Sequence, residues 1–477
     1  MTRPTPQRLF SFLLGMFVLA THTLAQDTLT ERYRDVAGRI LGAALVDDDG
    51  WSKLEHLTTR IGNRLSGSQG LERAIAWAAE TMRAEGLDVR TQEALVPHWV
   101  RGAESLEVLG ERARPLAMLG LGMSVGTPPE GITSDVVVVR DFDELERVGR
   151  AAVEGKIVVY AVEWKGYGQT VAYRGDGASR AAALGARAAL VRSATGSSLY
   201  TPHTGTLRYD TEKPRIPAAA ITPEDAAWFL RMQEAGETVR VCLKMAAQQL
   251  PDAPSANVIA EIRGREHPDE VVVMGGHYDS WDVGQGAHDD GASCMAAWHA
   301  LTLLHRLGLQ PRRTLRVVLW TNEENGTAGG KAYRAALGDD VAKHVAAIEM
   351  DGGCERPTGF GFGLEGAATD GTDERYERGF RLLDEIGTLL DAIDGGTITR
   401  RGHGTDIEPL TSEGVPALSL NTVGEHYFDW HHTQADTLDK IDPQDFRKAV
   451  ALFGVMGYVL ADMPETLRGE EHGASSR

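Results

Sequence analysis

Cysteine is scarce in this chain. Its 477 residues include only Cys242, Cys294 and Cys354, which lie far apart, and no pair has the C-x-x-C spacing. So few thiols argue against a disulfide scaffold even in an oxidising compartment. The lack of paired cysteines also argues against a thiolate zinc site.

Long apolar runs are missing beyond the amino-terminal segment. In that segment Arg3 and Arg8 come before an apolar run from Leu9 to Ala20, and small residues lead up to Ala25. This pattern predicts a signal peptide in residues 1–25, cleaved after about Ala25, and therefore a secreted or periplasmic protein. The run is shorter than the ~20 residues that span a bilayer, so we expect no stable membrane insertion of the mature chain. An uncleaved anchor is the alternative.

Basic residues are outnumbered by acidic ones. The chain has 49 Lys and Arg against 68 Asp and Glu, which gives a net charge of -19 with neutral His. An excess of this sign disfavours nucleic acid and anionic membrane surfaces as partners. We therefore expect no nucleic-acid partner.

The pattern changes along the chain, which is too long for one ordinary domain. After the signal peptide, residues 26–104 carry apolar residues at helical spacing, and 105–246 contain short β-rich runs among Gly and Pro. Residues 247–465 alternate between strand and helix, and 466–477 form a polar tail. The alternation predicts an α/β fold with a layered, mostly parallel sheet and helices on both faces. The β-rich part is predicted to be a separate, inserted module.

Polar groups follow three of the predicted strands directly. His277 comes after the strand that ends at Met274, Glu323 and Glu324 after the strand that ends at Trp320, and Asp351 after the strand that ends at Met350. Since the carboxyl ends of parallel strands share one edge of a sheet, where such folds bind ligands, we expect these side chains to meet there.

Two further residues are expected at the same edge. Asp289 lies just before a predicted helix, and His432 follows a later apolar run, with His431 as its competitor. Converging carboxylates would repel one another in a partly buried site unless a cation compensates them. Two His with Asp and Glu, without Cys, suit zinc, and five ligands suit two ions that share one carboxylate. One member of the pair Glu323 and Glu324 can then ligate while its neighbour moves protons.

These residues lie in segments that resemble a known family. The segments are 276-GHYDSWDVGQGAHDDG-291, 312-RRTLRVVLWTNEE-324, 402-GHGTDI-407, 431-HHTQADT-437 and, in the β-rich part, 198-SLYTPHTG-205. They resemble the zinc-dependent aminopeptidase and carboxypeptidase family that includes glutamate carboxypeptidase. The resemblance implies a zinc exopeptidase fold in which a protease-associated domain, 105–246, is inserted between two parts of a catalytic domain, 26–104 and 247–465.

The resemblance also implies a role for each candidate residue. Two zinc ions per chain would be held by His277 and Asp351 on one side, by Glu324 and His432 on the other, and by Asp289 between them. Glu323 would be the general acid/base, and Asp279 a carboxylate that supports the ligand His277. His403, which stands where one member of the family carries an acidic residue, and Tyr427 would contact substrate. A cis peptide bond is expected at Asp289–Asp290.

The function implied is that of a secreted di-zinc metallo-exopeptidase. Its substrates would be dipeptides or short peptides with an unblocked N-terminus, hydrolysed by attack of a metal-bridging water, and the chain would form a homodimer. Two alternatives remain: a catalytically inactive receptor-like binding protein, because fold alone does not decide activity, and a di-zinc hydrolase of N-acyl or cyclising substrates.

Overall fold

The computed structural model describes residues 1–2 and 28–468. The signal-peptide prediction and most of the polar tail therefore lie outside the described residues. No helix in the described part of the chain is both long and apolar enough to cross a membrane.

The described residues form two eight-stranded sheets and their covering helices. The strands are β1 (Asp88–Val100), β2 (Glu104–Val108), β3 (Arg114–Leu116), β4 (Met118–Gly120), β5 (Ile132–Val139), β6 (Ile157–Tyr160), β7 (Ala188–Arg192), β8 (Ala218–Ile221), β9 (Arg240–Met245), β10 (Gln248–Ile262), β11 (His267–His277), β12 (Arg313–Trp320), β13 (His344–Glu349), β14 (Pro357–Gly363), β15 (Thr397–Thr399) and β16 (Ala417–Thr422). The helices are α1 (Leu29–Ala44), α2 (Asp49–Glu55), α3 (Gln69–Ala84), α4 (Phe142–Val153), α5 (Tyr167–Ala183), α6 (Pro223–Glu234), α7 (Ala292–Arg306), α8 (Ala328–Leu337), α9 (Glu374–Gly387), α10 (Glu408–Thr411), α11 (Tyr427–Trp430) and α12 (Pro443–Asp462).

The larger sheet is mixed. Its order is β1-β10-β12-β11-β13-β16-β14-β15, and the middle strands β12, β11, β13 and β16 are parallel. The pairs β1/β10, β10/β12 and β14/β16 are antiparallel. The outer pair β14/β15 is parallel. The prediction of a mostly parallel sheet is therefore correct for the middle of the sheet and for this outer pair, but not for the other flanking pairs.

Helices cover both faces of this sheet, as predicted, and as a result β11 is buried on both sides from Val271 to His277. Val272 and Met274 of β11 pack in the core cluster that includes α7 and α12. Their neighbours Val271 and Val273 point the opposite way and pack in the cluster that includes α8 and α10. The fold is therefore α/β and layered, and the carboxyl ends of its parallel strands form one edge.

Strand β1 was missed by the sequence interpretation, which treated residues 26–104 as helical. The helices α1, α2 and α3 are there, but Asp88–Val100 pairs antiparallel with β10. As an edge strand it leaves most side chains exposed or half-buried, so it lacks the apolar alternation that marks a strand. The register of the β1/β10 pair shifts between Val96 and His98, and Pro97 lies at this shift. Because proline has no N–H, it is tolerated at such a position, where no ladder hydrogen bond is lost.

The second sheet is formed by residues between β1 and β10. Val100, the last residue of β1, is paired with Gln248, the first of β10, so the chain leaves and re-enters the larger sheet at one point. Between them, β2 to β9 form a sheet of order β3-β2-β9-β5-β6-β7-β8-β4. This segment also contains α4, α5 and α6, so it is less purely β-rich than its sequence indicated. Helix α5 was missed because Gly, Ala and Ser fill much of it.

Candidate metal centre

The predicted site residues meet at the carboxyl edge of the larger sheet. His277 is the last residue of β11, while Glu323 and Glu324 lie in the turn after β12. Asp351 follows β13, and His432 follows the short helix α11. Each residue is placed there because an apolar strand or a short helix ends and the chain turns.

Asp289 lies between two groups of these side chains. Its Oδ1 is 3.0 Å from His277 Nε2, and its Oδ2 is 3.2 Å from His432 Nε2. His277 Nε2 is also 3.5 Å from Asp351 Oδ1, and His432 Nε2 is 3.1 Å from Glu324 Oε2. The arrangement is thus two histidine–carboxylate pairs with one carboxylate shared between them. The peptide bond between Asp289 and Asp290 is cis, as expected.

The site is buried, which makes its acidic groups costly to ionise. Burial raises the pKa of Glu324 to about 7 and the pKa of Glu323 well above its ordinary value. Against the effect of burial, hydrogen bonds with His277 and His432 hold the pKa of Asp289 well below its usual range. Asp351 is partly open to solvent, with 26% of its side chain exposed, and Glu323 is half-buried.

The donor set fits a bound cation. Glu324 Oε1 is buried and has no hydrogen-bond partner among the described residues, although its other oxygen faces His432. An unpartnered buried carboxylate oxygen is costly unless a cation or water binds it. Imidazole nitrogens and carboxylate oxygens without thiolates are ligands that suit zinc.

Asp279 fixes the turn that carries Glu323 and Glu324. Its buried carboxylate accepts hydrogen bonds from the N–H groups of Glu323, at 2.9 Å, and Glu324, at 3.3 Å, and from the Ser66 hydroxyl, at 3.3 Å. Its main-chain carbonyl, rather than its carboxylate, lies within hydrogen-bond distance of His277 Nδ1, at 3.1 Å against 3.8 Å. Asp279 thus supports both sides of the centre.

Asp436 fixes the loop that carries Asp289, and sequence reasoning missed it. Its carboxylate accepts hydrogen bonds from three successive N–H groups, those of Ala287 at 3.0 Å, His288 at 2.7 Å and Asp289 at 3.2 Å. Asp436 lies in the segment 431-HHTQADT-437, and the resemblance of that segment to the family could have pointed to it. A second missed residue, Glu349, accepts hydrogen bonds from the N–H groups of residues 405–407 beside the site.

The neighbouring histidines make different contacts. His431 Nε2 is 3.6 Å from Asp289 Oδ2, and its ring stacks on that of His432. Only His432 contacts both Asp289 and Glu324, which favours it over His431 as the ligand. His288 faces away from the centre: its Nδ1 accepts from the N–H of Cys354, and its Nε2 faces the carbonyl of Lys440.

A cavity of about 570 Å³ lies beside the centre and contains both candidate substrate contacts. Asp351 connects it to the centre, and His403 and Tyr427 line its wall. His403 is exposed, whereas Tyr427 is buried with its ring against Phe428 and His431. A small polar substrate in this cavity would lie next to the acidic centre.

Comparisons with known proteins define the class. A family model described as peptidase family M28 matches residues 257–455, which include the five candidate ligands. The chain is 41% identical to carboxypeptidase Q of Bos taurus over 96% of this chain and 99% of that protein. The chain belongs to peptidase family M28, which confirms the family resemblance inferred from the sequence.

Within this class, the similarity to carboxypeptidase Q extends over nearly the whole chain. The Homo sapiens protein is 42% identical over 91% of this chain and 90% of its own length. The solved structure of a peptidase M28 precursor from Shewanella amazonensis SB2B has a TM-score of 0.85 and 31% identity, covering 92% of this chain and 99% of that one. An aminopeptidase from Aneurinibacillus sp. strain AM-1, at 21% identity and a TM-score of 0.64, covers 91% of this chain and 98% of its own and shares the fold.

Proposed function

We propose that the chain is a di-zinc metallo-exopeptidase that hydrolyses dipeptides or short peptides with an unblocked N-terminus. One observation carries this proposal: the two oxygens of Asp289 face two separate histidines, and each histidine has a further carboxylate beside it. A carboxylate shared in this way suits two neighbouring ions. Membership of a peptidase family gives the reaction class.

Each ion would have its own pair of residues, and both would share Asp289. His277 and Asp351 would hold one ion, and Glu324 and His432 the other. Ions held by these residues would supply Lewis-acid chemistry, namely activation of a water and polarisation of the scissile carbonyl.

Glu323 is the residue we assign to proton transfer. It is next to the ligand Glu324, it is half-buried, and Asp279 holds its N–H. Burial raises its pKa well above the ordinary value, which brings a carboxyl group closer to the working pH of a general acid/base. Glu323 takes a proton from the attacking water and passes it to the leaving amine.

The cavity and the inserted segment set the range of substrates. A cavity of about 570 Å³ has the size of small-molecule sites and is suited to a dipeptide. His403 and Tyr427 would contact the substrate there. We assign residues 105–246 as a protease-associated domain that narrows access to the site, and we place the enzyme outside the cytoplasm, as a homodimer, with its signal peptide removed.

Hydrolysis of free and N-acetylated dipeptides tests the substrate assignment. With the zinc-loaded chain we expect cleavage of free dipeptides and little cleavage of the same peptides after acetylation. Preference for the acetylated peptides would favour an N-acyl hydrolase. No hydrolysis of either by the metal-loaded chain would favour a receptor-like binding protein.

A further inference from the structure

The inserted segment touches the metal centre directly. The turn that carries His431 and His432 is contacted by His203 and Thr204, which belong to the loop between β7 and β8 and to the quoted segment 198-SLYTPHTG-205. All four residues are buried. The contact therefore joins positions 228 residues apart in the sequence through the interior of the protein.

Three hydrogen bonds join the two turns. His203 Nδ1 lies 2.7 Å from the carbonyl oxygen of His431, and the N–H of Thr204 donates to the carbonyl of His432 at 3.0 Å. In the opposite direction, His432 Nδ1 lies 3.3 Å from the carbonyl oxygen of Thr204. A ring nitrogen that faces a carbonyl carries the hydrogen, so His203 is the donor in the first of these bonds.

The same contacts match what a ligand histidine needs. If His432 Nε2 binds a cation, Nδ1 must carry the proton, and a carbonyl that accepts from Nδ1 fixes this tautomer and the ring orientation. The carbonyl of Thr204 is such an acceptor. Arg174 Nη1 lies 3.3 Å from this oxygen and 3.3 Å from His432 Nδ1. Because a guanidinium nitrogen only donates, it donates to the carbonyl when Nδ1 carries the proton.

The backbone of His432 needs external support. It has a φ of 61°, in the left-handed region that a residue with a side chain rarely adopts. Such conformations persist where the surroundings hold them, and here the N–H of Thr204 holds the His432 carbonyl while His203 holds the preceding one.

We propose that His203 and Thr204 of the inserted segment are positioning residues for the ligand His432, so that the insertion completes the metal centre as well as covering it. This inference rests on the proposed function, because it takes His432 as a zinc ligand. It assigns a role to the 198-SLYTPHTG-205 segment, which the reaction itself does not use.

The test changes the His203 contact without changing charge near the centre. In His203→Leu the donor to the His431 carbonyl is lost, and in His203→Asn the amide nitrogen keeps a donor near the position of Nδ1. His267→Leu is the matched control, because His267 is exposed at the start of β11, at the other end of the strand from His277. Zinc affinity of each purified full chain is measured by competition with a chromogenic chelator.

We expect His203→Leu to weaken one of the two zinc sites by about 10- to 100-fold and to leave the other unchanged, as loss of an outer partner of a ligand typically does. His203→Asn should recover most of that affinity, and His267→Leu should match wild type. Equal affinities in wild type and His203→Leu would overturn the positioning role, as would equal loss at both sites. Dipeptide hydrolysis by the wild-type chain is scored separately, so failure of the proposed function is distinguishable from failure of this inference.

A second variant covers the case in which His203→Leu does not fold. Gly205 directly follows Thr204 and has a φ of +131°, which residues with a side chain rarely adopt, and a Cβ there would meet the Arg174 guanidinium. Gly205→Ala therefore shifts the backbone that carries the Thr204 carbonyl away from His432 Nδ1. The same selective weakening of one zinc site is expected. Unchanged affinity at both sites in a folded Gly205→Ala chain would contradict the proposal.

Discussion

The strongest prediction from the site geometry concerns Asp436. Its carboxylate is the acceptor for the N–H groups of Ala287, His288 and Asp289, and it is only 3% exposed. In Asp436→Asn one oxygen can still accept from Ala287 and His288. The amide group replaces the other oxygen and faces the N–H of Asp289, so that a buried donor loses its acceptor.

The cost follows from that lost acceptor. A buried unsatisfied donor, together with the loss of a charge-assisted hydrogen bond, destabilises a folded chain by about 2 to 4 kcal/mol. Asp289 would also shift, and a misplacement of about 1 Å at a catalytic centre can reduce turnover about 10²-fold. Both effects are expected in Asp436→Asn.

The assay compares this variant with Asp439→Asn. Asp439 is close in sequence but its side chain is 71% exposed, so its substitution should change stability by no more than about 0.5 kcal/mol. Urea unfolding of the metal-free chains gives the stability difference, and dipeptide hydrolysis of the zinc-loaded chains gives turnover. If Asp436→Asn unfolds and turns over like Asp439→Asn, the carboxylate does not hold the loop of Asp289.

Three further predictions concern catalysis, pH and substrate binding. Glu323→Gln should keep the bound zinc of wild type and lose about 10²- to 10⁴-fold in turnover, and near-native turnover would remove Glu323 from proton transfer. Burial lowers the pKa of His344 to about 4 in the folded chain, against about 6.5 when unfolded. The unfolded chain then binds the proton more readily than the folded chain. The free energy of unfolding of wild type, relative to that of His344→Gln, should therefore be highest above pH ~6.5 and fall by up to about 3 kcal/mol between pH ~6.5 and pH ~4. A pH-independent difference between these two chains would contradict the assignment. His403→Glu should allow an exposed ion pair with the free substrate amine, and should therefore lower KM for free dipeptides by up to about fivefold. KM for acetylated dipeptides should not change, and an equal change for both would exclude contact with the substrate amine.

The parts of the site that could be predicted from the sequence are those set by local pattern. Apolar runs ending at Met274, Trp320 and Met350 predict buried strands. The polar residues after those ends meet because parallel strands share an edge. The same reasoning failed for β1, whose side chains are mostly exposed or half-buried, so that no apolar period shows in its sequence.

The supporting contacts could not be predicted because they join distant segments through backbone groups. Asp436 accepts from N–H groups 147 to 149 residues away, and His203 donates to a carbonyl 228 residues away. A backbone N–H or carbonyl has no sequence signature, so its partner is visible only in the folded chain. Family resemblance marked the segments that contain both residues but assigned neither of them a role.

We propose that Asp289 is shared by two metal ions that the chain uses for hydrolysis. Metal content per chain, measured on the purified protein after loading with zinc and again after chelation, tests it most directly when each sample is also assayed on a free dipeptide. We expect about two zinc ions per chain, with activity that disappears on chelation and returns with zinc. A single ion per chain, or hydrolysis that persists after all metal is removed, would contradict it.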